Sequence, residues 1–280
     1  MELISILDTS NMKSRFVLAD NGVLYITFDL FSRAGLTHGF STRVGGVSSG
    51  IYKSMNLSFN RGDDEACVVE NHKRFAEAVG YDYEKTVLSD QIHKTDIAHV
   101  TEKDSGFYSK KGITGMDGLI TDVPGVPLMT FYADCVPLFF YDPVKKVVAA
   151  AHSGWRGTVA GIGRVMVDKL VGDNGCKRED VLAVVGPSIC GNCYEVSSDV
   201  VDGFSDAYGK DMANSISSPH GDGKFLVDLW EANRYVLKSA GIKDEHIQVS
   251  GICTYHNPEL MISHRETDGK RGNMAGVVVL

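Results

Sequence analysis

No apolar run in the chain approaches the ~18 residues needed to cross a bilayer. No basic segment leads into an apolar core at its start, so a secretory signal is not expected. Both absences point to a protein of the cytoplasm rather than of the membrane. Positive charge is also scarce: 28 Lys and Arg stand against 36 Asp and Glu, for a net charge of −8. A nucleic-acid partner needs a clustered basic face to neutralise phosphates, and Lys110-Lys111 and Lys145-Lys146 are isolated pairs that read as solvated turns. Low-complexity blocks, internal repeats and linker-like stretches are lacking, which predicts one domain over residues 1–280. Cysteine is sparse and irregular: six residues, four in or beside strand-like runs, do not form a disulfide framework and read as reduced thiols.

What is present is a mixture of strands and helices. Val23–Asp29, Thr86–His93, Ile97–Thr101, Asp117–Thr121, Val147–His152, Val181–Ser188, Ile247–Cys253, Leu260–Ser263 and Ala275–Leu280 carry strand patterns. Val126–Tyr141 is a long apolar run in which Pro137 predicts a break just after Cys135. Helices are predicted from Ala66 to Gly80, capped by Asp63 or Asp64, with His72 on the solvated side. Others are predicted over Thr158–Val171, Asp199–Tyr208 and Asp228–Ala240, the last with Asp228 and Glu231 in a capping-box pattern. Strands and helices without a regular βαβ repeat predict an α+β domain with mixed sheets. His38–Asp64 is Gly- and Ser-rich yet interleaved with Phe40, Tyr52, Met55, Leu57 and Phe59, so it reads as a packed loop and a candidate lid.

Chemistry concentrates at strand ends. Cys135 and His152 close two apolar runs, and His93 ends another expected strand. Three ligands from separate strands with one open position is the pattern of a catalytic zinc site. Each residue alone is better read as a satisfied core group; the three together, beside Gly-rich turns, weigh the two readings evenly. Cys190 and Cys193 form one C-x-x-C, which by itself is weak evidence for a metal. The H-x-E of a zinc deaminase occurs only as His264-Arg265-Glu266, downstream of that pair, so the motif is rejected but not the reaction. His38, His99 and His256 are further possible ligands, with His38 beside the Gly-rich loop as the best supporting candidate. Arg156 lies at an expected helix start in SGWRGT, and Arg43 and Arg265 sit in similar Gly- or Ser-flanked turns. All three suit a phosphate or carboxylate, or else surface ion pairs. Trp155, Phe40 and Tyr194 could stack on a planar ligand or pack in the core.

Taken in order, HGFSTRVGGVS, QIH, DGLIT, ADCVP, AAAHSGWRGT, GPSICGNCYEV and SHR resemble the laccase-domain family. It is also called the multicopper polyphenol oxidase family, and its members are described as purine nucleoside phosphorylases. The likeness runs from about His38 to the C-terminus. It implies an α+β domain with mixed sheets flanked by helices, grouped with cytotoxic necrotizing factor-like cysteine hydrolases. It also implies zinc on His93, Cys135 and His152. The implied reaction is phosphorolysis of adenosine, inosine and methylthioadenosine, with adenosine deamination as a further activity. Family members often carry a second Arg and an Asp after the last Ser-x-Arg. Glu266 and Thr267 stand there in this chain, which weakens a phosphate role for that segment.

On this reading Arg43, Arg156 and Arg265 hold phosphate with His38 in support, and Asp134 serves as acid–base or as a hydrogen-bond acceptor. Copper is the rival metal, since two His, one Cys and a weak Met describe a blue-copper site; nine scattered His are too few for a multicopper oxidase. The same residues would also serve a cysteine hydrolase with Cys135 as nucleophile, editing a peptidoglycan precursor, or a non-catalytic binding protein.

Overall fold

The computed structural model describes residues 13–106 and 112–280; the Lys110-Lys111 pair lies outside them. The first half of the chain runs β1 (Ser14–Leu18), β2 (Leu24–Phe28), α1 (Asp29–Arg33), β3 (Thr37–Ser41) and α2 (Glu65–Val79). It continues through β4 (Val87–Asp90), β5 (Ile97–His99), β6 (Ile113–Thr114), β7 (Gly118–Thr121), β8 (Leu128–Tyr132), β9 (Val136–Asp142) and β10 (Val147–Ser153). The second half runs α3 (Trp155–Val159), α4 (Ile162–Asn174), β11 (Leu182–Val185), β12 (Glu195–Ser197), α5 (Ser198–Tyr208) and α6 (Lys210–Ile216). It ends with β13 (Ser217–Pro219), β14 (Lys224–Val227), α7 (Leu229–Ser239), β15 (Ile247–Val249) and β16 (Met274–Val279).

Alternation along the strands builds the layers. In β9 and β10, Leu138, Phe140, Ala149 and Ala151 belong to one core, while Phe139, Tyr141, Val148 and Ala150 belong to another. Burial on both faces explains why these strands read as continuous apolar runs. The first core packs the sheet β15-β11-β9-β10-β7-β5 against α4, α5, α6 and α7. The second packs the same sheet against β1-β2-β3-β16-β8-β4-β6. On the far side of that larger sheet, Phe75 of α2 meets Leu88, Met129 and Val277 in a third core. The order is therefore helix, sheet, sheet, helix. Parallel pairs (β4 with β6 and β8, β5 with β7, β11 with β15) among antiparallel ones make both sheets mixed. The α+β expectation is met. The sheets meet closely: a Cβ on Gly276 would collide with the Phe139 ring, so only glycine fits.

The departures from the sequence pattern have local causes. The run Val126–Tyr141 breaks at Ala133–Cys135, where Asp134 takes φ 83°, and not at Pro137. Pro137 sits inside β9, one residue past the last β11 pair, Val185 with Leu138. The expected helix over Thr158–Val171 is two helices separated at Gly161, with φ 74°. Leu260–Ser263 is not a strand. Asp64 and Asp228 do cap α2 and α7 through their side chains. His72, expected in solvent, is buried on the inner face of α2, where its Nε2 meets the Leu57 carbonyl at 2.7 Å and its ring stacks on Phe59.

Candidate metal centre and its cavity

The chain passes from one sheet to the other at Ala133-Asp134-Cys135, between β8 and β9. That crossing sets Cys135 at the seam. β10 brings His152 to the same level, opposite Pro137. The turn after β4 brings His93, at φ 63°. One ligand atom from each of His93, Cys135 and His152 lies within 4.8 Å of the others. The two imidazoles meet edge to face at 4.7 Å.

A residue without an assigned role in the sequence holds this arrangement. Asp117, fully buried, accepts backbone N–H bonds from Ile92 (3.0 Å), His93 (3.0 Å) and Lys94 (2.9 Å). The same carboxylate meets His152 Nδ1 at 2.9 Å. One side chain thus shapes the turn carrying His93 and fixes the tautomer of His152 with Nε2 free for a ligand, the carboxylate–histidine support usual around bound metals. The sequence signal was the Asp that opens DGLIT.

The electrostatics match. Burial alone would raise the Cys135 thiol; the His152 charge and hydrogen bonds from His152 and His93 outweigh it and bring the thiol down to about 6. Burial works against the His152 imidazolium too, and Cys135 with Asp117 reverse this, raising it to about 9. Both shifts favour the thiolate–imidazolium form of the pair. Space for an ion is also present. A Cβ on Gly154 would lie 3.2 Å from Cys135 Sγ and 3.3 Å from His93 Cδ2, so glycine leaves open the volume between the donors. A tetrahedral two-nitrogen, one-sulfur site fits this donor set.

The centre lies in a cavity of about 460 Å³, a volume suited to a small-molecule ligand. Arg61, Arg156, Arg265 and Arg271 line it, with Trp155 and Tyr194 as aromatic walls. Arg156 stacks on Trp155 at 4.2 Å and Arg265 lies over Tyr194 at 5.7 Å. Arg271 is only 8% exposed. It donates to the Gly272 carbonyl, to Asn273 and to His264 Nδ1, while its Nε has no partner among the described residues. Burial first, and then the Arg61 charge, bring its guanidinium down to about 10. Two cations lining one cavity, one of them buried and incompletely satisfied, favour an anion. Arg61 and Arg271 were not singled out in the sequence. They supply the positive charge that Glu266 and Thr267 do not.

Other sequence candidates are placed differently. His38 is a core residue between Phe28 and Phe31: its Nε2 accepts from Phe28 N–H at 2.8 Å and its Nδ1 donates to the Leu36 carbonyl at 2.9 Å. Arg43 is a loop clamp, donating to the Lys53 carbonyl (3.1 and 2.9 Å) and the Pro258 carbonyl (2.7 Å). Neither lines the cavity, and the phosphate roles expected of them are withdrawn. Phe40 is buried against Tyr132. Asp134 lines the cavity, but its carboxylate accepts from Thr254 Oγ1 (2.6 Å), Ser263 Oγ (3.0 Å) and Arg265 N–H (2.7 Å). This engagement makes it a clamp on the positive-φ turn rather than an acid–base group. His99 is at the surface beside Asn174. Arg156 lies inside α3, a helix of only five residues that begins at Trp155, three residues before the helix start expected at Thr158. The segment expected to form a lid contributes Ser58, Asn60 and Arg61 to a cavity wall. Asn71 pins it through Ser48, Ser54 and Asn56.

The profile of the family described as multi-copper polyphenol oxidoreductase laccase matches residues 37–280. A purine nucleoside phosphorylase, YlmD of Bacillus subtilis, is 39% identical over 243 residues, covering 86% of this chain and 87% of the relative. An adenosine deaminase, RL5, from an unknown prokaryotic organism, is 32% identical over 219 residues, covering 77% and 83%. In structure, the hypothetical protein YfiH of Bacillus licheniformis superposes with a TM-score of 0.88 at 34% identity, covering 95% of this chain and 98% of that one.

Proposed function

The chain belongs to the multi-copper polyphenol oxidoreductase laccase family, and from that premise we propose that it is a zinc-dependent purine nucleoside phosphorylase with adenosine deamination as a side reaction. The observation that carries this reading is the placement of four arginines around the cavity that holds the three-donor centre. A polyphenol has no use for that charge; a phosphate does.

His93, Cys135 and His152 would hold the zinc, with Asp117 supporting two of them. Bound zinc supplies Lewis acidity and lowers the pKa of an oxygen nucleophile. Arg271, with Arg61, Arg156 and Arg265, binds and orients phosphate. Trp155 and Tyr194 offer faces on which a purine stacks. In phosphorolysis a phosphate oxygen forms a bond to C1′ of the sugar. The bond from C1′ to the base nitrogen breaks, its electron pair leaves with the base, and the base takes up a proton. Holding nucleophile and sugar together in one closed site contributes by orientation. In deamination, water adds to the purine and ammonia leaves from the same cavity.

Incubation of the pure protein with adenosine, inosine or methylthioadenosine tests this. Free base and sugar 1-phosphate should appear only with phosphate and should vanish in His93→Ala and on chelation. Absence of turnover for all three nucleosides refutes the reading.

The Cys135, His152 and Asp117 chain favours one second reading, a cysteine hydrolase. Alkylation of Cys135 that abolishes turnover of a peptidoglycan precursor, in protein unaffected by chelators, would establish it.

A further inference from the structure

A second group of metal-binding side chains lies behind the cavity wall. Cys190, Cys193, Cys253 and His256 each place one ligand atom within 4.8 Å of the others. The fold explains the convergence. β11 and β15 run parallel, and the chain beyond them stays paired at Ser188 with Cys253. Each strand then ends in the same device: a buried isoleucine followed by a tight turn, Ile189-Cys190-Gly191-Asn192-Cys193 on one and Ile252-Cys253-Thr254-Tyr255-His256 on the other. The first turn is closed by Cys193 and Tyr194 N–H bonds to the Cys190 carbonyl (3.0 and 3.1 Å). The second is closed by Asn257 Nδ2 on the Cys253 carbonyl (2.7 Å). Cys190 N–H donates to Cys253 Sγ at 3.4 Å, linking the turns. The His256 ring stands between Cys193 Sγ (2.9 Å from Nε2) and Cys190 Sγ (3.9 Å from Nδ1).

We propose that these four residues bind a structural zinc ion, separate from the catalytic centre and independent of the reaction proposed for it. Three thiols and one imidazole from two short-spaced pairs form a closed four-ligand set, whereas the His93 centre has three ligands and an open position. Soft thiolates select zinc over the harder divalent ions. All four groups converge while every cysteine is unpaired; a disulfide would engage only two of them. The ion would tie together two loops that serve the cavity. Ile189 and Tyr194, flanking the C-x-x-C turn, line its wall, and Thr254 holds Asp134 beside Cys135. In sequence the C-x-x-C looked weak because its completing pair, Cys253 and His256, lies about sixty residues away.

The test uses the full chain, purified without chelators, with His93→Ala and Cys135→Ala together removing the first centre. Metal analysis should find about one zinc per chain in this background and none once Cys193→Ser is added. On replacement by cobalt(II), the background protein should show sulfur-to-cobalt charge-transfer absorption of three-thiolate strength. If the Cys193→Ser chain does not fold, His256→Ala, at an exposed position, is expected to fold and to surrender its zinc to a colorimetric chelator at least tenfold more readily. Less than a tenth of an equivalent of zinc in the background protein after zinc supplementation, or a disulfide within the cysteine trio in freshly isolated protein, overturns the proposal.

Discussion

Asp117 Oδ1 lies 2.9 Å from His152 Nδ1, and the same carboxylate receives the backbone N–H of His93 at 3.0 Å. One buried group therefore orients two of the three candidate ligands. Asp117→Asn keeps the shape but removes the charge, and its amide cannot accept at all the positions the carboxylate serves. Loss of such a support typically costs 10- to 100-fold in metal affinity. Zinc affinity measured by chelator competition should fall by about that factor. Folding stability should fall as well, by about 1–3 kcal/mol for buried N–H groups left unpaired. An Asn variant that binds zinc as tightly as the parent would remove Asp117 from the centre.

Gly154→Ala tests whether the space between the donors is used. The new methyl would stand 3.2 Å from Cys135 Sγ and 3.3 Å from His93 Cδ2, inside the volume an ion needs. The backbone there is at φ −67°, open to any residue, so folding should be retained. The expected result is a chain with near-parental thermal stability and little metal in the first centre. Parental metal content would mean the centre forms elsewhere.

How much of this was legible depends on the range of the cause. Cys135 and His152 are visible because strands buried on both faces give continuous apolar runs, and a polar residue at the end of one stands out; His93, expected to end a strand, lies instead in the turn three residues past β4. The break at Asp134 is not visible. Its positive φ is held by Thr254, Ser263 and Arg265, at least 120 residues away, whereas Pro137 signals locally and misplaces the break. Arg43 shows the converse error. Its Gly-rich surroundings suggest a ligand loop, but two carbonyl partners, one 215 residues distant, occupy its guanidinium. Arg271 looks like one more charge in a loop; only the fold buries it beside Arg61.

Cys135 should behave as a low-pKa thiol in metal-free protein. Burial opposes the thiolate, but the neighbouring imidazoles bring its pKa to about 6, against about 8.5 for a free cysteine. Alkylation of the Cys135 peptide, followed by mass spectrometry, should proceed near its plateau rate at pH 7 and fall as pH drops through 6. Added zinc should protect it. A midpoint near the free-cysteine value would refute the thiolate–imidazolium pair.

Arg271→Gln separates phosphate binding from folding. A charge-assisted bond to an oxyanion is worth about 1.5–3 kcal/mol, so the KM for phosphate should rise roughly 10- to 100-fold. The KM for nucleoside should change little. Because the guanidinium is buried next to Arg61, its removal should not lower the thermal midpoint. Equal increases in both Michaelis constants would instead indicate general damage to the cavity.

His72 predicts an acid dependence of stability that does not involve the centre. Burial holds its imidazole down at about 4 in the folded chain, despite the opposing bond to the Leu57 carbonyl; unfolded, it titrates near 6.5. Above that pH neither state carries the proton, and the folded state has its full advantage. As pH falls from about 6.5 to 4 the unfolded chain takes up a proton that the folded chain refuses, so stability declines by about 1.4 kcal/mol per pH unit. Below 4 both states are protonated and this loss levels off, at about 3 kcal/mol in all. His72→Gln keeps a donor for the Leu57 carbonyl but cannot titrate. Urea unfolding at pH 7 and pH 4.5 should therefore show a smaller drop for the variant than for the parent, the difference between the two drops being the His72 contribution. Equal drops would show that the buried imidazole does not govern the acid sensitivity of the fold.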